Sequence, residues 1–443
     1  MKVERTICLG LLGVILAGTF FLTLPISTSN GSWGDFLVAL FTSASAVCVN
    51  GLTVVDIGTY FSFWGQFFVL LLVQIGGLGY MTTTTFLIML IGKKFDLRQK
   101  IGIQQSLDRR GMSGSSQIIR SIIATTIIFE LTGAFLLMTV FIPEYGWIDG
   151  IWLGIFHSIS AWNNSGFSLF KDSFISYQGN WMINFIIPSL IILGGIGYGV
   201  ILEAYIWLRD RILKKSNKLV LSLDFKVATS TSLVLLMFGT LALLIIELRN
   251  PAVFGKLSLV DKFLIAWFQS ANSRSGGFNS FEIHQMTPSA LFILIIFMFI
   301  GASPGGTGSG IKTSTVRVLL SCTKAILQGE EEIILFKRKI SVLLVFKSIG
   351  VLIGSVITII VSTILIELID SKFSFIKVCF EIFSAFGTGF SIGITQDFNI
   401  LAKLILIIVM YIGRVGILLL INAIIGDLNK NSIRYPEENL LVG

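Results

Sequence analysis

The chain has 443 residues, 54% of them hydrophobic and only 13% charged, with a formal net charge of +8. Soluble domains are about 25% charged, so the composition excludes an ordinary soluble globular protein. Long uninterrupted apolar runs also exclude an outer-membrane barrel, whose strands read as short alternating segments.

The first apolar run covers 6–24 and follows Lys2 and Arg5. A cleaved signal peptide has the same polarity, but this run is longer than a typical h-region and no A-x-A-like site follows it. It reads as a first spanning helix. The next apolar segment, 36–47, is too short to cross about 30 Å of hydrocarbon as a helix. It leads into SAVCVNGL (45–52), after which a second helix carries IGGLGY (75–80). The same order returns with run 118–142, short segment 150–161, SAWNNSGF (160–167) and run 183–202 carrying LGGIGY (193–198). It returns again with run 227–246, segment 261–271, SANSRSGGF (270–278) and IGASPGGTGSG (300–310). The last round is run 349–366, segment 374–386, SAFGTGF (384–390) and IGRVG (412–416).

Each hairpin ends on a glycine: Gly51, Gly166, Gly277 and Gly389, spaced 115, 111 and 112 residues apart. A repeat at fixed spacing defines architecture before single helices do. The expected units are 1–92, 117–208, 226–320 and 341–426, followed by a tail over 427–443. The predicted fold is an all-α membrane protein. Four helix–pore-helix–helix repeats surround one pseudo-fourfold pore, giving eight transmembrane helices and four re-entrant pore helices. Irregular backbone at membrane depth is tolerated only where it lines a watery cavity or is buried in protein. The tracts Asn163-Asn164-Ser165 and Asn272-Ser273-Arg274-Ser275 therefore should not face lipid.

The basic residues are segregated. Lys93, Lys94, Arg98, Lys100, Arg109 and Arg110 fall in 92–116, and Arg209, Arg211, Lys214, Lys215, Lys218 and Lys226 in 209–226. Seven more lie in 312–347, whereas 25–62 has none and 142–182 has only Lys171. This is the distribution of a positive-inside topology, with basic segments and both termini in the cytoplasm and the hairpins outside. It is not the footprint of a nucleic-acid binder. The later outer segments agree less cleanly, since 249–289 holds four basic residues and 369–403 holds three. Cys8, Cys48, Cys322 and Cys379 show no metal or disulfide spacing. His157 and His284 are too far apart in sequence to read as a ligand cluster.

An ion entering low dielectric loses hydration worth on the order of tens of kcal/mol. Carbonyl oxygens converging on an axis replace that shell, and glycine adopts the tight backbone they require. Pore helices aiming their partly negative C-termini at the axis favour a cation. The candidate cation-binding positions are Val49, Asn50 and Gly51; Asn164, Ser165 and Gly166; Ser275, Gly276 and Gly277; and Gly387, Thr388 and Gly389. Arg274, the one charge in a hairpin, is expected to turn away from the path and tie down the hairpin through backbone or carboxylate contacts. For Gly194 and Gly195, close helix packing and a site role both remain open.

The stretch 301–314 is glycine-rich and holds a proline, so a continuous helix there is costly. Gly305, four residues, Gly310 and then Ile311-Lys312-Thr313 resembles a phosphate loop only loosely. That motif needs Gly-Lys adjacent, between a strand and a helix. The stretch reads as a flexible gate beneath the hairpins, formed by Ser303, Pro304, Gly305, Gly306, Thr307, Gly308, Ser309, Gly310 and Lys312. Only this second helix looks broken. Arg414, near the middle of the last apolar run, is a functional candidate by default. Carbonyls of 303–310 or an acid such as Glu130 are its expected partners. Glu130 itself reads either as a structural acid paired with a neighbouring helix or as part of the ion path.

Four helix–pore–helix repeats with one filter glycine each, the SPGGTGSGIKT loop and the arginine of YIGRVG resemble the Trk/Ktr/HKT superfamily of potassium transporters, over essentially the whole chain. The absence of two extra N-terminal helices makes the chain most similar to the membrane subunit of bacterial Ktr systems. The resemblance implies K+ at the filter positions above. Glycine at all four filter positions resembles the potassium-selective members, since serine at the first would suggest sodium transport. The first filter departs in Cys48 and Asn50, where Thr-type residues are usual. The resemblance further implies a homodimer with one pore per subunit, a KtrA-like cytosolic nucleotide-binding regulatory ring, surrounding membrane lipid, and Na+ as an activator. The basic cytosolic segments offer that ring a surface, although they also read as ordinary topology-setting charge.

The expectation is a potassium uptake permease of the plasma membrane, channel-like in its pore and gated from the cytoplasmic side, with no catalytic residue and no enzymatic activity. Competing readings are a cation-coupled secondary transporter and a less selective sodium/potassium transporter. A coupled transporter would need a midplane pocket between inverted repeats. An enzyme would need a clustered His, paired carboxylates or a nucleophile elbow, none of which the sequence offers.

Overall fold

The computed structural model describes residues 3–79, 115–214, 220–255 and 257–425. Most of the basic segment 92–116, together with Lys215, Lys218 and the tail 427–443, lies outside the described residues. Among the described residues the regular structure is helical apart from a ribbon of two two-residue strands, which an all-α reading omits. In it β1 (Ile334–Leu335) pairs antiparallel with β2 (Arg338–Lys339). Phe336 and Lys337 both take positive φ between the strands, as a two-residue hairpin turn requires.

Long apolar helices open each round. They are α1 (Val3–Thr23), α5 (Ser115–Tyr145), α9 (Leu223–Glu247) and α13 (Val342–Ile369). All four are long and apolar enough to cross a membrane alone. Short helices follow: α2 (Phe36–Val47), α6 (Trp147–Trp162), α10 (Leu259–Asn272) and α14 (Phe375–Gly387). Side-chain caps start several of these elements. Asp35 accepts from Val38 N–H ahead of α2, and Ser258 from Asp261 N–H ahead of α10, satisfying donors that a helix N-terminus leaves orphaned.

Second helices complete the rounds. The first is α4 (Phe63–Leu78), reached through the one-turn α3 (Ile57–Tyr60). The run 183–202 is not one helix. It is α7 (Trp181–Ile196) and α8 (Tyr198–Ile212), bent by 100°. Gly197 makes the corner at φ 102°, ψ 133°, a conformation open to glycine and costly for residues with a Cβ. In the same way α15 (Ile400–Val415) and α16 (Ile417–Ile425) meet at 98° across Gly416. The third, α11 (Pro288–Phe299), stops before the glycine-rich stretch, and the chain resumes as α12 (Thr313–Gln328). Breaks are thus shared by the second, third and fourth rounds and are not peculiar to the third. Hydropathy conceals them because Ile-Gly-Tyr and Val-Gly-Ile are apolar on both sides of the bend.

Short and long helices are locked by a recurring pair. Ser43, Ser158 and Ser270, on α2, α6 and α10, donate to Ile15 O, Glu130 O and Leu236 O at 2.7, 2.7 and 2.9 Å. Three residues beyond each acceptor stands Gly18, Gly133 or Gly239, where an added Cβ would collide with that serine's Oγ. The fourth round lacks this pair. The apolar core divides into one cluster shared by α1, α2, α4 and α13–α15, and others around α9–α11 and α5–α7.

Candidate functional site

The C-termini of α2, α6, α10 and α14 run into the four glycine hairpins. The glycines stand against one another in a closed circuit. A Cβ added at Gly51 would lie 3.1 Å from Gly166 Cα, one at Gly166 2.7 Å from Gly277 Cα, one at Gly277 2.9 Å from Thr388 O, and one at Gly389 3.2 Å from Gly51 Cα. All four glycines have φ between 73° and 95°. Two residues earlier, Val49, Asn164 and Ser275 also have positive φ, while Asn50, Ser165 and Gly276 between them do not. The first three hairpins therefore alternate in the sign of φ. The fourth departs, because Gly387 is still the last residue of α14 and Thr388 has φ −133°. A β-branched residue at positive φ is strained, so Val49 is held there by its burial and by Val49 N–H donating to Ala46 O at 3.1 Å.

Side chains staple the hairpins to one another. Asn50 Nδ2 donates to Ser384 O and Ala385 O at 2.8 and 3.0 Å, tying the first hairpin to α14. Ser275 Oγ donates to Gly387 O at 2.7 Å, tying the third to the fourth. Ser165 Oγ stays local, 2.8 Å from Ser160 Oγ. Asn163, Asn164, Ser165, Asn272, Ser273 and Ser275 are buried, away from lipid as the sequence demands. Arg274 turns toward α9, donating to Ser232 O and Ser232 Oγ at 3.2 and 3.0 Å. The backbone tether is as expected, and no carboxylate takes part in these contacts.

The stretch 300–312 is not a loose loop. Its ends are zipped by a parallel bridge between Ile300 and Ile311, with Gly301 N–H donating to Ile311 O at 2.9 Å. Gly310, at φ 79°, turns the chain there, and Ser303 Oγ lies 2.8 Å from Thr313 Oγ1. Lys312 Nζ reaches back to Gly308 O at 2.8 Å. Outward bonds then fasten the loop to its surroundings. Ser303 N–H and Thr307 N–H donate to Gly195 O and Gly194 O at 2.9 and 3.1 Å, and Tyr198 N–H donates to Gly305 O at 3.1 Å. Ser309 Oγ donates to Cys48 O at 2.9 Å, while Ser275 Oγ accepts from Ser309 N–H at 2.9 Å. Thr307 Oγ1 donates to Trp162 O at 3.2 Å. Pro304 O and Gly306 pack on Gly197 and Gly195, and a Cβ at Gly308 would meet Ser275 Oγ at 2.5 Å. The loop therefore bonds to backbone or side chains at the first, second and third hairpins at once.

Arg414 sits in the last turn of α15 and not at mid-helix. Its guanidinium donates to Thr307 O of the loop and to Gly76 O of α4, with Gly77 O at 3.5 Å. The expected loop carbonyl is a partner; Glu130 is not among these contacts. Glu130 Oε1 instead accepts from Asn163 Nδ2 at 3.0 Å, and that amide also donates to Gln74 Oε1 at 2.9 Å. Through this contact Glu130 joins α5 to the entry of the second hairpin.

Glycines of the second helices have a packing role. A Cβ at Gly76, Gly194 or Gly413 would overlap Val47 O, Trp162 O or Phe386 O, the closing carbonyls of three short helices. Gly195 faces Asn164 and Ala302 instead. Sequence reasoning weighed His157 only as a metal ligand and missed Glu381; each is buried on a short helix behind a hairpin. Among the described residues no group of three His, Cys, Asp or Glu is placed to hold a metal ion, and the four cysteines are free thiols.

An apolar helical frame around four glycine hairpins defines an integral membrane protein of the transport class. Residues 14–431 match the TrkH family of cation transport proteins, and the chain belongs to that family. It is 35% identical over 441 residues to the Ktr system potassium uptake protein B of Bacillus subtilis, covering 99% of this chain and 96% of that protein. It is 36% identical to the protein of the same name from Vibrio alginolyticus, covering 99% and 94%. It is also 34% identical to the potassium/sodium uptake protein NtpJ of Enterococcus hirae, covering 99% and 97%. In fold it resembles the crystal structure of the potassium transporter TrkH from Vibrio parahaemolyticus, with a TM-score of 0.67 at 17% identity, covering 93% of this chain and 84% of that one.

Proposed function

We propose that the chain is a potassium uptake permease of the plasma membrane, conducting through a single pore built from four repeats. The observation that carries this reading is the closed circuit of Gly51, Gly166, Gly277 and Gly389 at the ends of four short helices. Backbone carbonyls around that circuit replace the hydration shell of K+, and the helix C-termini add partial negative charge. The loop 303–310 obstructs the path beneath the hairpins, and Arg414 holds it shut. Basic segments face the cytoplasm and the hairpins face outside.

In proteoliposomes with an inward-negative potential, the chain should take up rubidium and not a non-ionic solute, with Na+ raising the rate. Uptake of the solute, or rubidium uptake indifferent to the potential, would reject the permease reading. The likeness to a potassium/sodium uptake protein supports a second, less selective reading. Sodium uptake matching rubidium uptake in the same vesicles would favour it.

The names of the Ktr system relatives imply an assembly. We infer a homodimer with a separate cytosolic nucleotide-binding ring docked on the basic face. Mild-detergent purification from native membranes should recover a second copy of the chain and a cytosolic nucleotide-binding protein. A lone monomer whose transport in liposomes already responds fully to nucleotide would overturn that partnership.

A further inference from the structure

Two hairpins are held from behind by buried ionisable side chains in the same register. On α14, Glu381 is fully buried. Its Oε1 accepts from Ser391 Oγ and Ile392 N–H, both at 2.8 Å, and its Oε2 accepts from Thr395 Oγ1 at 2.7 Å. On α6, His157 is equally buried. Its Nε2 accepts from Leu169 N–H at 3.3 Å and lies 3.0 Å from Ser168 Oγ. Because Nδ1 faces Leu153 O at 2.8 Å, Nδ1 must carry the ring proton, and the imidazole is neutral.

The correspondence is position by position. Ser168 and Ser391 both stand two residues after the hairpin glycine, within Gly-Phe-Ser, and Leu169 and Ile392 both stand three after it. Each serine Oγ also accepts from the N–H two residues on, Phe170 at 3.0 Å and Gly393 at 2.8 Å. The third hairpin has no ionisable clamp: at the same offsets Asn279 Oδ1 and Ser280 Oγ have no partner among the described residues, and the limb is held instead by Asn279 N–H donating to Ser173 Oγ at 3.1 Å and by Asn279 O accepting from Phe174 N–H at 2.9 Å. In the circuit of glycines, the second and fourth hairpins are not neighbours but lie opposite each other.

We propose that Glu381 and His157 are positioning residues that determine ion specificity, clamping the outgoing limbs of two opposed hairpins so that the carbonyls at Gly166 and Gly389 keep their spacing. The pore is then fourfold in its glycines and twofold in the buried ionisable groups that brace them. The proposal rests on the hairpins forming the filter. Neither residue touches the ion; each acts through backbone N–H groups, whose loss would let the limb relax and change the size of the carbonyl ring.

The test is the potassium-over-sodium permeability ratio, a property of each molecule that does not depend on yield. Glu381→Ala should lower the ratio about tenfold and His157→Ala about threefold, because several hydrogen bonds, some to a charged acceptor, are lost together. Glu381→Gln should keep most of the ratio, since its carbonyl still accepts from Ser391 and Ile392 and its amide can donate to Thr395. A loss in Glu381→Gln equal to that in Glu381→Ala would overturn positioning in favour of the carboxylate's charge. If the alanine variants do not fold, Ser168→Ala and Ser391→Ala remove one clamp contact each, and unchanged ratios in both would overturn the proposal. Gly51→Ser, measured alongside, separates the two readings. A changed ratio there with an unchanged one in the clamp variants rejects the clamp alone; an unchanged ratio in Gly51→Ser rejects the filter, and the clamp with it.

Discussion

Gly51→Ser is expected to lower the potassium-over-sodium permeability ratio by about tenfold, the equivalent of roughly 1.4 kcal/mol of discrimination. Two effects add. At φ 95° any residue with a Cβ is strained by about 1–2 kcal/mol. The new side chain would also overlap Ser165 O and approach Gly166 Cα at 3.1 Å, and both atoms belong to the neighbouring hairpin. Relief must come from backbone movement, because the colliding atoms are backbone on both sides. On the proposed pore, that movement resizes the ring through which a dehydrated ion would pass. Reversal potentials or isotope uptake in paired gradients measure the ratio. If folded Gly51→Ser protein retains the parent ratio, Gly51 does not line the path.

Arg414→Ala is expected to raise potassium flux per folded molecule by about tenfold, if the guanidinium contributes some 1.4 kcal/mol to the closed loop. The guanidinium bridges Thr307 O in the loop and Gly76 O at the end of α4. It cannot shed its charge as a buried lysine can, so the carbonyls satisfy it and it in turn holds the loop to a fixed helix. Removing it deletes both the fork and a positive charge beneath the hairpins. Loop bonds from Ser309 to Cys48 O and from Thr307 to Trp162 O remain, so opening is favoured without the loop being freed outright. Shortening 303–310 should raise flux further, because those remaining bonds go with it. A merely structural arginine predicts the reverse: Thr307 O left unsatisfied at about 1–3 kcal/mol, Gly76 O keeping only the Gly79 N–H that caps α4, lower thermal stability and no gain in flux. Uptake normalised to folded protein, read beside a melting curve, decides between these outcomes.

By itself the sequence determined the membrane class, the short helices and the hairpin glycines. Those follow from local physics. A dozen apolar residues cannot span a bilayer, and a polar glycine tract at that depth must be shielded from lipid. The arginine's need for carbonyl partners was legible for the same reason, since an intramembrane guanidinium leaves few alternatives. The tertiary structure alone decided what depends on direction in space. The bends at Gly197 and Gly416 leave hydropathy unchanged, because apolar residues continue on both sides, and only the glycine's backbone conformation turns the chain. Gly76 as the second acceptor for Arg414 comes from a helix 338 residues away in sequence, a separation at which no local pattern operates. The hairpin contacts of His157 and Glu381 were invisible for a different reason. Each is close in sequence to its partners, but a lone histidine or glutamate on an apolar helix has no periodicity to mark it. Only when the hairpin doubles back do the N–H groups of Leu169 and Ile392 come within reach of a buried acceptor.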